Sequence, residues 1–174
     1  MINPEARTPS AHVPALAALL ASAGISNGER AALKRMALDG PAPLALHRLL
    51  LAQVDEIWQA ECWLAEWRTL ICALAIQRDG GYNPATPFGT ALAETRFSES
   101  RLERLLAASD DTLRALALRA ARQLAAKGIA CDWRQFADLL FAGTPDFRER
   151  INIRIARDYY RTLQKNQPSA NREE

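Results

Sequence analysis

Helix start and stop signals recur along almost the whole chain, and no stretch shows the two-residue alternation of a half-buried strand. Ser109 before Asp110 and Thr144 before Pro145 are start signals, because a hydroxyl oxygen can accept a hydrogen bond from a free N–H of the first turn. Gly128 is a stop signal, since glycine readily adopts the left-handed conformation that ends many helices. The pattern predicts an all-α protein, a helical bundle in two packed parts.

The division into two parts is predicted from one segment that disfavours helix. Residues 80–87 contain two glycines and two prolines, which interrupt helices. We expect a long helix over residues 54–77 before this segment. The boundary then separates an N-terminal part, residues 1–87, from a C-terminal part, residues 88–166. The polar residues 167–174 are predicted to form a disordered tail.

The residues that could carry catalysis are few and scattered. His12, in a segment we expect to be mobile, and His47 have no partner at catalytic or metal-ligand spacing. Cys62, Cys72 and Cys131 form no Cys-x-x-Cys pair, so we expect core thiols in a reducing compartment. The chain has no phosphate-cradling glycine loop and no nucleophile elbow. The sequence therefore predicts a protein that is not an enzyme and takes no metal and no cofactor.

Nothing in the sequence indicates membrane insertion. The first residues lack the charged-then-apolar order of a secretion signal. The most apolar stretch, residues 70–76, is too short to span a bilayer. We expect a cytoplasmic protein with no membrane partner.

The last predicted helix carries the strongest functional signal, a face made almost wholly of cations. The small net charge of +2 comes from the C-terminal half, and at about 100° per residue five of its cations fall within a stripe roughly 80° wide. They are Arg150, Arg154, Arg157, Arg161 and Lys165. A solvated helix face usually mixes its charges, because like charges four residues apart repel. The stripe indicates contact with a phosphate backbone, and a plain solvated surface is the alternative.

Further basic residues extend this signal over both halves of the chain. Several pairs share a helix face, but none has the spacing of a base-reading motif, and the four tryptophans are spaced more like core or interface residues than like base-stacking ones. Binding would therefore be independent of nucleotide sequence and sensitive to salt. The predicted nucleic-acid-binding residues are Lys34, Arg35, Arg48, Arg101, Arg104, Arg119, Arg122, Arg150, Arg154 and Arg157.

Six short segments, in order and at fitting separations, resemble the small subunit of type I-E Cascade, the CasB family. They are residues 28–36, 46–50, 88–92, 98–106, 132–133 and 155–161. The resemblance implies an all-helical, non-catalytic protein that is present in two copies in a CRISPR surveillance complex. Its implied partners are CRISPR RNA, the target DNA and its displaced strand, the backbone and large subunits, and a second copy of itself. Its implied task is to stabilise the R-loop, while base pairing reads the sequence.

The resemblance also bears on individual residues. Positions that are basic in the family are matched here by Lys34, Arg35, Arg48, Arg101, Arg119 and the Arg148–Arg150 region. Three positions depart from the pattern, because Thr90, Ala107 and Asp110 stand where a basic residue can occur. We expect Arg104, Arg122 or Arg154 to compensate.

Two other hypotheses remain open at this stage. The chain could be a helical adaptor whose arginines pair with acidic protein surfaces, and it would then bind no free nucleic acid. A small helical hydrolase with an unrecognised site is the third and weakest hypothesis.

Overall fold

The computed structural model describes residues 7–77 and 81–167, and within them the chain forms nine α-helices. The predicted all-α bundle is confirmed: no strand occurs in the described ranges, where Tyr82 and Cys131 make one isolated bridge. Residues 168–174 of the predicted tail lie outside the described residues. The helices are α1 (Val13–Ala21), α2 (Asn27–Arg35), α3 (Leu44–Gln53), α4 (Leu64–Ile76), α5 (Phe88–Glu94), α6 (Glu99–Ala107), α7 (Asp110–Lys127), α8 (Trp133–Leu140) and α9 (Pro145–Asn166).

Local hydrogen bonds explain where several helices begin and end. Thr144 caps α9, because its Oγ1 accepts a hydrogen bond from the N–H of Phe147 at 3.2 Å. Gly128 ends α7 with φ at +66°, the left-handed conformation predicted for it. Ser26 caps α2, and it forms a reciprocal capping box with Glu29.

The predicted long helix over residues 54–77 is wrong. Two short 3-10 turns, Glu56–Trp58 and Glu61–Trp63, precede α4, which begins only at Leu64. The Trp67 indole N–H donates to the Trp58 carbonyl at 2.7 Å, and the Trp58 indole donates to the Arg7 carbonyl at 2.7 Å. In a continuous helix, the Trp58 carbonyl would accept a hydrogen bond from a backbone N–H of the same helix. Here the two indole hydrogen bonds take the place of such helical bonds.

The sequence did not predict α5, a helix of seven residues directly after the proline-rich segment. Its contact with α9 is the most extensive contact between two helices in the described structure. The approach is so close that a Cβ at Gly89 would overlap the carbonyl oxygen of Ile155. Glycine therefore permits the contact that joins these two helices.

The buried apolar residues form one cluster that extends across the predicted boundary at residue 87. Its centre is α4, where every residue from Trp67 to Ala75 is buried. Trp67 and Trp133 are fully buried, in agreement with the core role expected of the tryptophans. The division of the chain into two parts stays a prediction.

Two expectations about single residues are wrong. His12 is not in a mobile segment: it ends a 3-10 turn, Pro9–His12, and its side chain is fully buried beside Trp67. Cys72 and Cys131 are buried thiols as predicted, but Cys62 is exposed because it lies in a surface turn.

We expect Gly89→Ala to reduce the free energy of unfolding by about 2 kcal/mol or more, because α5 and α9 must move apart to admit the new methyl group. Chemical denaturation of the two proteins measures this difference. Gly143→Ala is the matched control, since a Cβ there meets nothing within 4 Å. Equal stability of Gly89→Ala and the wild type would show that the helix contact tolerates a side chain.

We expect His12 to make the protein less stable in mild acid. Burial lowers the pKa of His12 from its ordinary value of 6.5, against the opposing charge of Asp55. The unfolded chain therefore takes up the proton first, and stability falls as the pH drops below about 6.5. The Asp55 carboxylate does not contribute in this window, because its hydrogen bonds to Arg7 hold its pKa below 3.8.

Unfolding of the wild type and of His12→Leu between pH 7.5 and 5 measures this effect. The variant should lose less stability than the wild type over that interval. His47→Leu, at an exposed position, is the control and should follow the wild type. Parallel curves for His12→Leu and the wild type would contradict the assignment.

Candidate nucleic-acid interface

All ten residues predicted to bind nucleic acid have exposed side chains. Six of them lie on α2, α6 and α7, where Arg101, Arg104 and Arg119 line one groove, and three others lie along α9. The tenth, Arg48 on α3, forms an ion pair with Glu29 of α2. The charge of Arg48 is therefore already balanced by an acid.

A second group of arginines stabilises the fold. Arg68 is buried and donates to the carbonyl oxygens of Ala37, at 2.8 Å, and Gly40. Arg114 bonds to Glu66 at 2.8 Å and Asp111 at 2.6 Å, which joins α7 to α4. These guanidinium groups are engaged within the protein and are not free to contact a phosphate.

Arg148 belongs to this structural group, although the resemblance matched the Arg148–Arg150 region to basic positions of the family. Its Nη2 donates to the carbonyls of Leu106 at 3.2 Å and Ala108 at 2.9 Å, just where α6 ends. Its Nε donates to Asn152 at 3.1 Å, and burial lowers the pKa of the guanidinium. Arg148 thus satisfies the last carbonyls of α6, whereas Arg150 is exposed.

A groove runs between α6 and α7 and is lined by three of the predicted residues. Arg101 and Arg104 reach it from α6, and Arg119 reaches it from α7. Its deeper part is a cavity of about 270 Å³ with Phe97 and Leu116 in its apolar lining. The groove continues past Arg104 and Arg119 along the small side chains of both helices, through a further volume of about 560 Å³.

Gln123 orients one rim of this groove. Its amide N–H donates to the carbonyl of Thr95 at 3.0 Å, so its oxygen faces Arg101 and accepts from the guanidinium at 3.3 Å. A neutral partner positions Arg101 without cancelling its charge. The guanidinium therefore keeps both its charge and most of its donors for a ligand.

Arg122 extends the basic surface from α7 towards the end of α2. The charge of Arg122 reaches the Cys72 thiol of α4 and partly offsets the burial that raises the pKa of that thiol. The same sulfur lies 3.5 Å from the carbonyl of Lys34, in the last turn of α2. Cys72 of α4 thus lies between Arg122 and the last turn of α2, which carries Lys34 and Arg35. We call Lys34, Arg35 and Arg122, with Arg101, Arg104 and Arg119, the α2–α6–α7 surface.

The lining residues of the groove lie on α6, α7 and the turns beside them, so the stripe on α9 is not part of the groove. Arg154 lies on the side of α8, where its charge acts on Asp138 and counters the burial that raises the pKa of that carboxyl. The flank of α9 that faces α6 carries Tyr160, whose hydroxyl donates to Glu99 at 3.2 Å. Glu99 of α6 thus lies on this flank of α9.

The sequence analysis did not identify the neutral residues of the groove, Phe97, Leu116 and Gln123. It also did not single out Arg96, an exposed cation next to Phe97. Arg96 is exposed and has φ at 58°, in the turn that leads from α5 to Phe97. The one available signal was the spacing of Leu116, Arg119 and Gln123, which places them on one face of α7. Nothing in the sequence marks Phe97 as part of this face.

The described residues contain no group of three or more His, Cys, Asp or Glu side chains that could hold a metal ion. Within the same ranges, the helices are too short or too polar to cross a membrane.

Comparison with protein families gives one match. The model described as CRISPR-associated protein Cse2 matches residues 29–160. Comparisons with curated proteins and with solved structures gave no significant match.

We expect Arg148→Ala to lower the free energy of unfolding by about 2 kcal/mol, because the Ala108 carbonyl loses its donor and the Leu106 carbonyl keeps only the bond from Asn152. Arg104→Ala, which removes the same charge from an exposed position, should change it by less than about 0.5 kcal/mol. Urea denaturation of both variants measures the difference. Equal effects would contradict the division between structural and free arginines.

Proposed function

The chain belongs to the Cse2 family, the small subunits of the type I-E CRISPR Cascade complex, and on that premise we propose that its basic surfaces support nucleic acid within the complex. In this proposal it stabilises the R-loop, the guide RNA–target DNA duplex together with the displaced DNA strand. The contacts go to the phosphate backbone and carry no sequence information. The protein performs no cleavage and takes no cofactor.

The observation that carries this proposal is the α2–α6–α7 surface. Its six cations come from three helices and are all exposed. Asp111, which lines the far end of the groove, is itself bonded to Arg114. Exposed cations attract a polyanion, and arginine in particular can make forked contacts to phosphate oxygens, as the three arginines of the groove can. We assign the α9 stripe a supporting role, because Asp138 partly offsets Arg154.

The proposed partners are those of the family's complex. We propose CRISPR RNA, target DNA with its displaced strand, the backbone and large subunits, and a second copy of this chain. A role in protein contacts alone is the second candidate function. It is favoured by α3, where Leu44 and Leu51 are 86% and 73% exposed beside Arg48. The two leucines are seven residues apart and so share a face of α3, and contiguous exposed apolar surface marks contact sites.

We expect the Arg101→Ala/Arg104→Ala/Arg119→Ala variant to bind generic DNA at least tenfold more weakly than the wild type at low salt. The salt dependence of its affinity should also be shallower, since fewer phosphate contacts release fewer counterions. Fluorescence anisotropy with labelled single- and double-stranded DNA over a salt series measures both quantities.

The matched control is Arg150→Ala/Arg154→Ala/Arg157→Ala, which removes the same charge from α9. Its affinity should fall less than that of the groove variant. Equal losses would show that binding follows net charge alone and would remove the groove from the proposal. An absence of binding by the wild-type protein even at low salt would favour the adaptor function.

A further inference from the structure

The groove between α6 and α7 combines an apolar lining with an arginine rim, and phosphate contacts alone do not explain that lining. We propose that it takes one unpaired nucleotide, with the base against Leu116 and the accessible edge of Phe97, which is 6% exposed, and the flanking phosphates on Arg101, Arg104 and Arg119. The protein would then prefer a single strand to a duplex. This inference rests on the proposed function and adds to it the form of nucleic acid that the surface selects.

The shape of the groove fits a strand with one base turned inward. The deeper cavity of about 270 Å³ is large enough for a single heterocycle. The shallower continuation shares Arg104, Leu116 and Arg119 with it and follows the two helices towards their connection. A backbone lying along the continuation can place one base in the cavity, whereas the paired bases of a duplex are held in their stack.

The chemistry of the lining also favours a nucleotide. Leu116 lines both parts of the groove, and a base, unlike a phosphate, gains by contact with such an apolar side chain. Arginine can contact both the base and the phosphates of a nucleotide, because its planar guanidinium stacks on a base and also bonds to phosphate oxygens. Gln123 holds Arg101 at the rim by one hydrogen bond, so the guanidinium is ordered before the ligand arrives.

An acidic peptide is the competing ligand for a basic groove. Its carboxylates would pair with the three arginines, but they would leave the apolar surface of Leu116 without a partner. A nucleotide site therefore requires a flat apolar group in its ligand, whereas a site for an acidic peptide does not. An oligonucleotide that lacks bases makes the same distinction, because it keeps the phosphates and removes the heterocycles.

The experiment compares two labelled oligonucleotides of equal length at low salt, oligo-dT and a fully abasic strand with the same number of phosphates. We expect the wild-type protein to bind oligo-dT roughly tenfold more tightly, which is within the range of one base-stacking contact. Leu116→Gln should abolish that preference and keep the affinity for the abasic strand. Leu51→Gln, at an exposed leucine of α3 outside the surface, should keep both affinities.

Each of the other outcomes would contradict the nucleotide site, the proposed function or the proposed class of ligand. Equal binding of both strands by the wild type would overturn the nucleotide site and leave the proposed phosphate contacts standing. A Leu116→Gln variant that lost both affinities together would show that Leu116 acts through the fold, and this too would overturn the site. Failure of the wild type to bind either strand would overturn the proposed function along with it. A polyglutamate peptide of equal charge that displaced labelled oligo-dT more effectively than unlabelled oligo-dT does would contradict the ligand class.

Discussion

The contact of α5 with α9 at Gly89 determines where the functional elements of the C-terminal half lie. Because the two backbones touch there, α5 ends at a fixed place, and the chain turns through Arg96 into Phe97. The Tyr159 hydroxyl of α9 donates to the carbonyl of Phe97, which ties the beginning of the next helix to the same support. The position of α6, and with it one wall of the groove, follows from these two backbone constraints.

Arginine has two different uses in this fold, and burial separates them. Arg68 and Arg148 bind carbonyl oxygens that no backbone N–H can reach, so their charge stabilises loops and helix ends. Arg104 and Arg119 leave their helices on the exposed side and face a groove. An inventory of basic residues cannot distinguish the two uses, because the distinction depends on which carbonyls are left without donors after the helices have packed.

The sequence predicted those parts of the structure that local interactions determine. Thr144 and Gly128 mark real helix ends because a cap requires only its neighbours along the chain. The irregular segment before α4 could not be foreseen, since it depends on the bond between Trp67 and Trp58 and on a contact with Arg7. The exposure of the predicted cations followed from helix periodicity. Their grouping did not, because it depends on how α6 lies against α7.

The unequal burial of the three cysteines has a practical consequence. Cys72 and Cys131 are enclosed, and burial raises the pKa of both thiols, so their reactive thiolates are scarce. Cys62 is exposed in its surface turn. A maleimide dye or spin label should therefore attach at this one position of the native chain, without replacement of the other two cysteines. Docking of the subunit into its assembly could then be followed as a distance from a single defined point.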